Sequence, residues 1–437
     1  MEPTVGAAGQ EPIGLELRLS RRYVVSGERA LLYLLIRLRG RQGEPTTRPP
    51  LNLAMVLDRS GSMSGEKLLK AKKAVGFAID HLSPQDRFSL VVYDDLVDVV
   101  VPSGAVVSKD FLRQRVAAIE PGGATNLSGG LLAGCAEVES GLDPARVNRV
   151  ILLSDGLANV GISDASALAE VARQKVKRGL TISTIGVGDD FDEDLMVGLA
   201  TAGQGNFYYV ENADQIPAVF REELAGLLAT VAQSLVLRLR PAEGVAVTGV
   251  LAYPCRQDGR ATLIPLPDMY SGETKSVVVR LLVPALPEGE HALVETELEY
   301  VSVPDAVQHR IRTRVGVSST GDPTLVPTHE DAETLKAVLM QEAAAAREEA
   351  IRRADEGDVG GAIETLTAAS KRMESFPCLA GEPELREQAD LLRSEAQTLE
   401  ARGYDVRTRK TMTYAAYTAR RSKPPRRPSQ QPQDSAP

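Results

Sequence analysis

Tryptophan is absent from this chain of 437 residues, and aromatic side chains make up only 4% of it. The cores must therefore be built from aliphatic side chains, which carry no polar tip in need of a buried partner. Cysteine is scarce too. Cys135, Cys255 and Cys378 are odd in number, far apart and without a CxxC pair, which argues against a disulfide framework or a thiolate zinc site and points to a reducing compartment. The four histidines, His81, His291, His309 and His329, are dispersed, with no HExxH and no pair at ligand spacing. No uninterrupted apolar run reaches the roughly 18 residues of a membrane span. The first residues show no basic start followed by an apolar stretch, so no signal peptide is expected and the expected location is cytoplasmic. There is no GxxxxGK[ST] phosphate loop and no GxSxG elbow. Gly203-Gln204-Gly205 lacks the third glycine of a dinucleotide fingerprint and reads as a turn, and no His is placed to act as a base for Ser62. The expectation is a protein that is no enzyme.

What is present is an ordinary globular composition, 43% hydrophobic and 25% charged. At roughly 100–200 residues per domain the length calls for two to four domains. The net charge of −9 is unevenly spread: residues 402–427 hold nine basic residues against Asp405 alone, giving +8 there and −17 elsewhere. An acidic body disfavours nucleic acid, and a basic tail permits it.

Between 50 and 231 apolar runs alternate with amphipathic segments. Runs at 51–57, 88–93, 150–153, 180–187 and 207–210 are near-continuously apolar, as strands buried on both faces must be. Segments 67–82, 109–119, 127–139, 164–178 and 213–228 carry helical spacing, such as Leu68, Ala71, Val75, Ala78, Ile79 and Leu82. This order predicts an α/β domain, a mostly parallel Rossmann-like sheet with helices on both faces. Residues 97–101 follow the second strand directly and suit an antiparallel edge strand. The flanks alternate at the strand period instead, at 16–19 and 32–38 before the α/β region and at 234–240, 245–251, 275–283, 292–303 and 310–317 after it. Strands separated by Pro and Gly predict one β-sandwich, residues 12–46 with 232–318, into which the α/β domain is inserted. Residues 328–402, rich in Ala, Glu, Arg and Leu, predict a helical hairpin or short bundle, with a turn at Gly357 to Gly360. Residues 403–437, basic and ending in Pro, Ser and Gln, predict a disordered tail.

The chemistry lies in three short stretches. Asp58-Arg59-Ser60-Gly61-Ser62 follows the first buried strand, Thr125 sits in Gly122-Gly123-Ala124-Thr125-Asn126 before a helix, and Asp155-Gly156 ends a third strand. In an open parallel sheet, ligand sites lie beyond the carboxyl ends of strands. Two carboxylates and three hydroxyls would meet there, a hard oxygen set suited to Mg²⁺, with Mn²⁺ or Ca²⁺ as alternatives, rather than to zinc or copper. In an extended segment the Asp-x-Ser-x-Ser alternation turns its side chains one way, and Gly61 permits a tight backbone turn beneath the ion. Each fragment alone has an ordinary reading, since a Ser caps a helix and Asp-Gly makes a turn. All three in order do not.

Together, Asp58-Arg59-Ser60-Gly61-Ser62-Met63, Thr125 and Ser154-Asp155-Gly156 resemble the three parts of the metal-ion-dependent adhesion site of von Willebrand factor type A domains. The resemblance implies that Ser60 and Ser62 bind the ion through their hydroxyls and Thr125 directly or through water. Asp58 and Asp155 then act mainly by holding the serines and coordinated waters. It also implies a coordination position left for a partner protein's Asp or Glu. The expected function is metal-dependent capture of that carboxylate, with no small-molecule substrate and no membrane. An accessory subunit of an AAA+ ATPase or chelatase, and a nucleic-acid-associated protein acting through the basic tail, are the alternatives.

Two lesser features complete the reading. Asp189 to Asp194 is acid-rich but lacks the Gly and distal Glu of an EF-hand, so it reads as a helix cap that could also border the metal site. Thr411, Thr413 and Thr418 beside basic residues are candidate phosphate acceptors.

Overall fold

The structure, a computed structural model, describes residues 4–5, 11–41, 48–157, 159–375 and 382–421. Two compact units result, Met1–Val338 and Leu339–Pro437.

The first unit opens with strands β1 (Thr4–Val5), β2 (Ile13–Leu19), β3 (Tyr23–Val25) and β4 (Ala30–Gly40). Ile13, Leu15 and Leu17 of β2 and Leu32, Leu34, Ile36 and Leu38 of β4 are buried, every second residue, because successive side chains of a strand point to opposite faces. The α/β region follows in the order β5 (Leu51–Asp58), α1 (Glu66–His81), β6 (Arg87–Tyr93), β7 (Val97–Ala105), α2 (Lys109–Ala117), α3 (Leu127–Glu139), β8 (Val147–Ser154), α4 (Ala165–Lys177), β9 (Thr181–Val187), α5 (Glu193–Ala202), β10 (Gln204–Val210) and α6 (Ile216–Leu228). Its six strands lie in the order β10-β9-β8-β5-β6-β7, parallel except for the antiparallel edge strand β7. Every residue of β5, β8 and β9 is buried, which explains the apolar runs at their centres; the polar residues among them, such as Asn52, Arg149 and Ser183, are buried too. Met55 and Leu57 pack with Val75 and Ile79 of α1 and Phe220 of α6 in one cluster. Val56, between them, points to the other face, against α3. There Gly134 admits the close approach, since a Cβ on it would lie 2.3 Å from Val56 Cγ2. Helices thus cover both faces of the sheet. Their starts are capped by side chains, Ser108 on α2, Asn126 on α3, Asp164 on α4 and Asp192 on α5.

Then come β11 (Thr230–Pro241), β12 (Ala246–Leu251), β13 (Arg256–Asp258), β14 (Ala261–Leu266), β15 (Met269–Tyr270), β16 (Thr274–Val283), β17 (Gly289–Ser302) and β18 (Gln308–Thr320). One sheet has the order β1-β2-β4-β16-β12 and another β13-β14-β11-β17-β18-β3, with β15 paired to β11. Both contribute to a single, mainly aliphatic cluster that includes Leu34, Ile36, Leu237, Leu239, Val279, Leu281 and Leu298. Neighbouring strands run antiparallel apart from β3 beside β18. Eight strands therefore follow the α/β region where the hydropathy pattern predicts five. The extra ones are β13 and β15, of two or three residues, and β14, whose Pro265 obscures the alternation.

Helices α7 (Ala332–Asp355), α8 (Val359–Glu374), α9 (Pro383–Arg402) and α10 (Val406–Arg420) make up the C-terminal region. Gly357, at φ +89°, and Asp358, which caps α8, turn the chain between α7 and α8 as predicted; Gly360 is inside α8, contrary to the predicted turn extending to it. A second correction concerns the tail. Residues 403–437 are predicted to be disordered, yet 406–420 form α10. Met412, Ala416 and Ala419 are buried at i, i+4 and i+7, and Asp405 caps the helix by accepting from Thr408 N at 2.7 Å. Counting charges hid that stripe. Arg409 pairs with Asp355 at 3.0 Å and Arg420 pairs with Glu348, so these bases are not simply solvated. Thr418 is buried with its hydroxyl on Tyr414 O at 3.0 Å, which removes it as an accessible phosphate acceptor. The segment 424–437 lies outside the described residues, as does Cys378. Cys255 is exposed, whereas Cys135 is enclosed in α3, where burial pushes its thiol up to about 12. No helix among the described residues is long and apolar enough to cross a membrane.

Candidate metal centre

Asp58 is the last residue of β5 and Ser154 the last of β8, adjacent parallel strands, so both stand at the carboxyl edge of the sheet. Asp58 is fully buried. Its Oδ1 accepts from Ser60 N at 2.8 Å and its Oδ2 from Ser154 Oγ at 2.7 Å. Burial raises its carboxyl above the ordinary range, the hydrogen bonds of Ser60 and Ser154 pull it partly back, and the charge of Asp155 adds to the rise. The Tyr93 hydroxyl donates to Leu153 O at 3.1 Å beneath this cluster and is held well above its usual value by burial and by Asp58.

Beyond Asp58 the chain enters a short 3-10 turn, Gly61–Met63. That turn, rather than an extended alternation, brings Ser60 Oγ to 3.1 Å from Ser62 Oγ. Ser62 Oγ donates to Asp155 Oδ1 at 2.7 Å. Gly61 needs no left-handed backbone here, and a Cβ on it would make only ordinary contacts of 3.7 Å with Gly122 O and 3.8 Å with Gly123 O. Its contribution is its N–H, which donates to Gly123 O at 2.9 Å and ties the first loop to the second.

The second loop is held in place by an aspartate that the motif does not include. Asp94 accepts from Leu96 N at 2.8 Å, Arg59 Nε at 3.2 Å and Gly123 N at 3.4 Å. Burial pushes its carboxyl up, but these donors outweigh burial and hold it below the ordinary range. A Cβ on Gly122 would sit 1.7 Å from Asp94 Oδ2, and one on Gly123 2.4 Å from Asp95 Oδ1. Gly122 is therefore required by the close approach of the buried Asp94, whereas the exposed Asp95 could move aside from a side chain at 123. Asn126 N donates to Asp94 O at 2.7 Å, and Thr125 is fixed on both sides of its peptide, its N donating to Asn159 Oδ1 at 2.9 Å and its O accepting from Asn159 N at 3.2 Å.

The third loop closes the group. A Cβ placed on Gly156 would lie 3.3 Å from Thr125 Oγ1 and 3.7 Å from Ser62 Oγ, so both hydroxyls border the space that this glycine leaves open. The five sequence-selected residues are thus brought together from three loops. Asp58, Ser60, Thr125 and Asp155 are buried, and Ser62 is exposed, which gives the group one open side. Hydroxyl oxygens outnumber carboxylates, and among the described residues no group of three or more His, Cys, Asp or Glu forms a metal cluster. A donor set of two carboxylates and three hydroxyls fits a hard divalent cation.

One participant went unrecognised in the sequence. Lys67, in the first turn of α1, places its Nζ 2.5 Å from Asp155 Oδ2. The signal was available: a cation there opposes the positive end of the helix dipole and calls for a partner. Elsewhere, Asp192 caps α5 by accepting from Leu195 N at 2.9 Å, and Asp189 accepts from the Tyr209 hydroxyl at 2.9 Å. Gly203-Gln204-Gly205 is not merely a turn. β10 begins at Gln204 with φ +54°, and a Cβ on Gly205 would meet Ile182 O at 2.0 Å.

Residues 52–222 match the family model of the von Willebrand factor type A domain. Over 264 residues the chain is 27% identical to an uncharacterized protein of Synechocystis, covering 58% of this chain and 62% of that one. It is 30% identical over 210 residues to the uncharacterized protein YfbK of Escherichia coli, covering 48% of this chain and 36% of that one. It is 27% identical over 196 residues to the inter-alpha-trypsin inhibitor heavy chain H2 of Sus scrofa, covering 42% of this chain and 21% of that one. The chain thus spans less than two thirds of the length of each of these relatives. In fold it is similar to a von Willebrand factor type A protein from Catenulispora acidiphila, at TM-score 0.74 and 17% identity, covering 94% of this chain and 98% of that one. It is also similar to the ArnB paralog VWA2 from Sulfolobus acidocaldarius, at TM-score 0.63 and 16% identity, covering 94% and 99%. At these identities the likeness speaks to fold alone. From the family match and the shared α/β architecture, the chain carries a von Willebrand factor type A domain over residues 52–222.

Proposed function

We propose that this domain is a metal-dependent protein-binding module. Asp58, Ser60, Ser62, Thr125 and Asp155 hold Mg²⁺, or Mn²⁺ or Ca²⁺, and a partner's Asp or Glu carboxylate completes the coordination. Domains of this family commonly mediate protein–protein interaction, and that supports the reading. The observation that carries it is the convergence of Ser60, Ser62 and Thr125 hydroxyls with two held-back carboxylates, open to solvent at Ser62. Few charged oxygens meet such an ion directly, so it stays electrophilic toward an incoming anion. We read the group as holding a carboxylate rather than transforming it. The two largely antiparallel sheets with a common core are read as one sandwich interrupted by the α/β domain, a mount for the site.

The test is a pull-down from the native host with the full chain as bait, in Mg²⁺ and in EDTA, beside Asp58→Asn and Thr125→Ala. Expected is a partner retained in Mg²⁺ and lost in EDTA and with both variants, while circular dichroism shows both folded. Retention unchanged by EDTA and by either folded variant would sink the reading.

A further inference from the structure

We infer that Lys67 is a built-in counter-cation of the metal site, set there to weaken the hold on the ion and keep it responsive to an incoming carboxylate. This rests on reading Asp58, Ser60, Ser62, Thr125 and Asp155 as a divalent-cation site, and it specifies how that site is tuned.

The geometry is specific. The Asp155 side chain is fully buried, and each of its oxygens already has a partner, Ser62 Oγ on Oδ1 at 2.7 Å and Lys67 Nζ on Oδ2 at 2.5 Å. Of the two, only the ammonium neutralises the carboxylate. Lys67 itself is partly shielded, with 29% of its side chain exposed, so its charge is screened less than that of a surface lysine. Its position is costly without this contact. Gly65 precedes α1 without any side-chain cap, and a lysine one residue into the helix faces the unpaired N–H groups of its first turn. The ion pair with Asp155 offsets that repulsion, so the lysine is held in the site by the carboxylate and not by the helix. The loop after β9 runs beside the ammonium: a Cβ on Gly188, whose φ is +73°, would lie 3.6 Å from Nζ. A Cβ there would make only ordinary contact with the lysine, so it is the positive φ that favours glycine at this point.

Two consequences follow from the charges. The site's two aspartates count as one net negative charge once Lys67 is included, so a divalent ion is left net positive and attracts an anionic partner. The ammonium also repels the metal. At the few ångströms separating groups on one carboxylate, a single charge acting on a divalent ion changes affinity by about tenfold or more even in a water-like dielectric. Lys67 thereby trades metal affinity for partner affinity.

The experiment is Mn²⁺ titration of the full-length protein, followed by calorimetry and by loss of the free-ion EPR signal, for wild type, Lys67→Met, Lys67→Arg and Asp58→Asn. Lys67→Met is expected to bind Mn²⁺ about tenfold or more tightly than wild type, and Lys67→Arg, which keeps the charge, to stay within about threefold of wild type. In EDTA, Lys67→Met is expected to melt below wild type, because Asp155 loses its buried partner, and to gain the larger melting shift on adding Mn²⁺. Equal or weaker Mn²⁺ binding by folded Lys67→Met, with wild-type binding that depends on Asp58, overturns the role of Lys67 and leaves the metal site standing. No Mn²⁺ binding by either wild type or Lys67→Met removes the metal site and this inference with it.

Discussion

Asp86 illustrates how much one side chain holds at the end of the sheet opposite the metal centre. It sits just before β6 and bonds the first residue of β5. Arg48 donates to its two oxygens at 3.1 and 2.5 Å, Leu51 N at 2.8 Å and Ser83 N at 2.6 Å. Burial pushes its carboxyl up, but Arg48 and the two backbone donors outweigh burial and leave it below the ordinary range. Replacing it with alanine strands those donors, at a cost of about 2–4 kcal/mol. The sign of the pH effect follows from linkage. A carboxylate with a depressed folded value stabilises fully above its unfolded value near 4 and loses that contribution as pH falls through the folded value. Urea unfolding should therefore show a constant gap between wild type and Asp86→Ala from about pH 7 to 5, closing below about pH 4. A gap under about 1 kcal/mol at pH 7, or one already shrinking between pH 7 and 5, would show that Asp86 does not do this. The site residues differ in kind. Asp58, raised by burial, does not stabilise the fold in this way, because its charged form is disfavoured there.

At the scale of elements, β8 is tied to its surroundings by Arg149, whose side chain is 1% exposed. Its guanidinium donates to Ser183 Oγ of β9 at 2.6 Å, Glu223 Oε1 of α6 at 3.1 Å and Asp268 Oδ2, just before β15, at 2.8 Å. Glu223 also accepts from Asn206 and Tyr208 of β10, each at 2.8 Å. The cluster joins the parallel sheet, its last helix and the strand that follows. Arg149→Met fills similar space but leaves two buried carboxylates without their cation, an expected loss of about 3–5 kcal/mol in urea unfolding. Adding Glu223→Gln to that variant should recover part of it; no recovery would mean that lost packing, not stranded charge, is the cause. Arg149 also marks where sequence reading stops. The apolar run predicts a strand at 150–153, but β8 begins at Val147, because a buried arginine breaks the pattern that reveals buried strands. Its partners lie 74 and 119 positions away, and no local rule connects them. Alternation at Leu32, Leu34, Ile36 and Leu38 made β4 legible; strand-end placement made Asp58 and Asp155 legible, and Thr125, ahead of a helix, joined them through the three-part motif. Asp94 escaped because its role is set by loops that meet only in the fold, and Lys67 because its helix position signals a need for a partner without saying which carboxylate meets it.

Across the whole molecule the same logic explains why charge counting misread the C-terminal region. A net charge of +8 over 402–427 describes how the segment repels itself when isolated, not what it packs on. Against the acidic positions of α7 the charge becomes an asset: Asp355 receives Arg409 and the Tyr404 hydroxyl, and Glu348 receives Arg420. Beneath these pairs Met412, Ala416, Tyr417 and Ala419 are buried, and Gln341 Nε2 donates to Arg420 O at 3.2 Å. Exposed pairs of this kind contribute little singly; the apolar stripe supplies most of the free energy, and the pairs fix its register. A chain ending at Arg402 should therefore lose more than a solvated tail. Hydrogen exchange should show faster exchange in α7 between 341 and 355, where α10 was docked, with protection over β5, β8 and β9 retained. Glu348→Lys in the full chain should reproduce a fraction of that effect at moderate ionic strength, and less than Met412→Asp, which breaks the apolar contact. If the truncated chain exchanges like the full one across 341–355, α10 is not part of the unit's core, and the basic segment is free for the nucleic-acid role its composition permits.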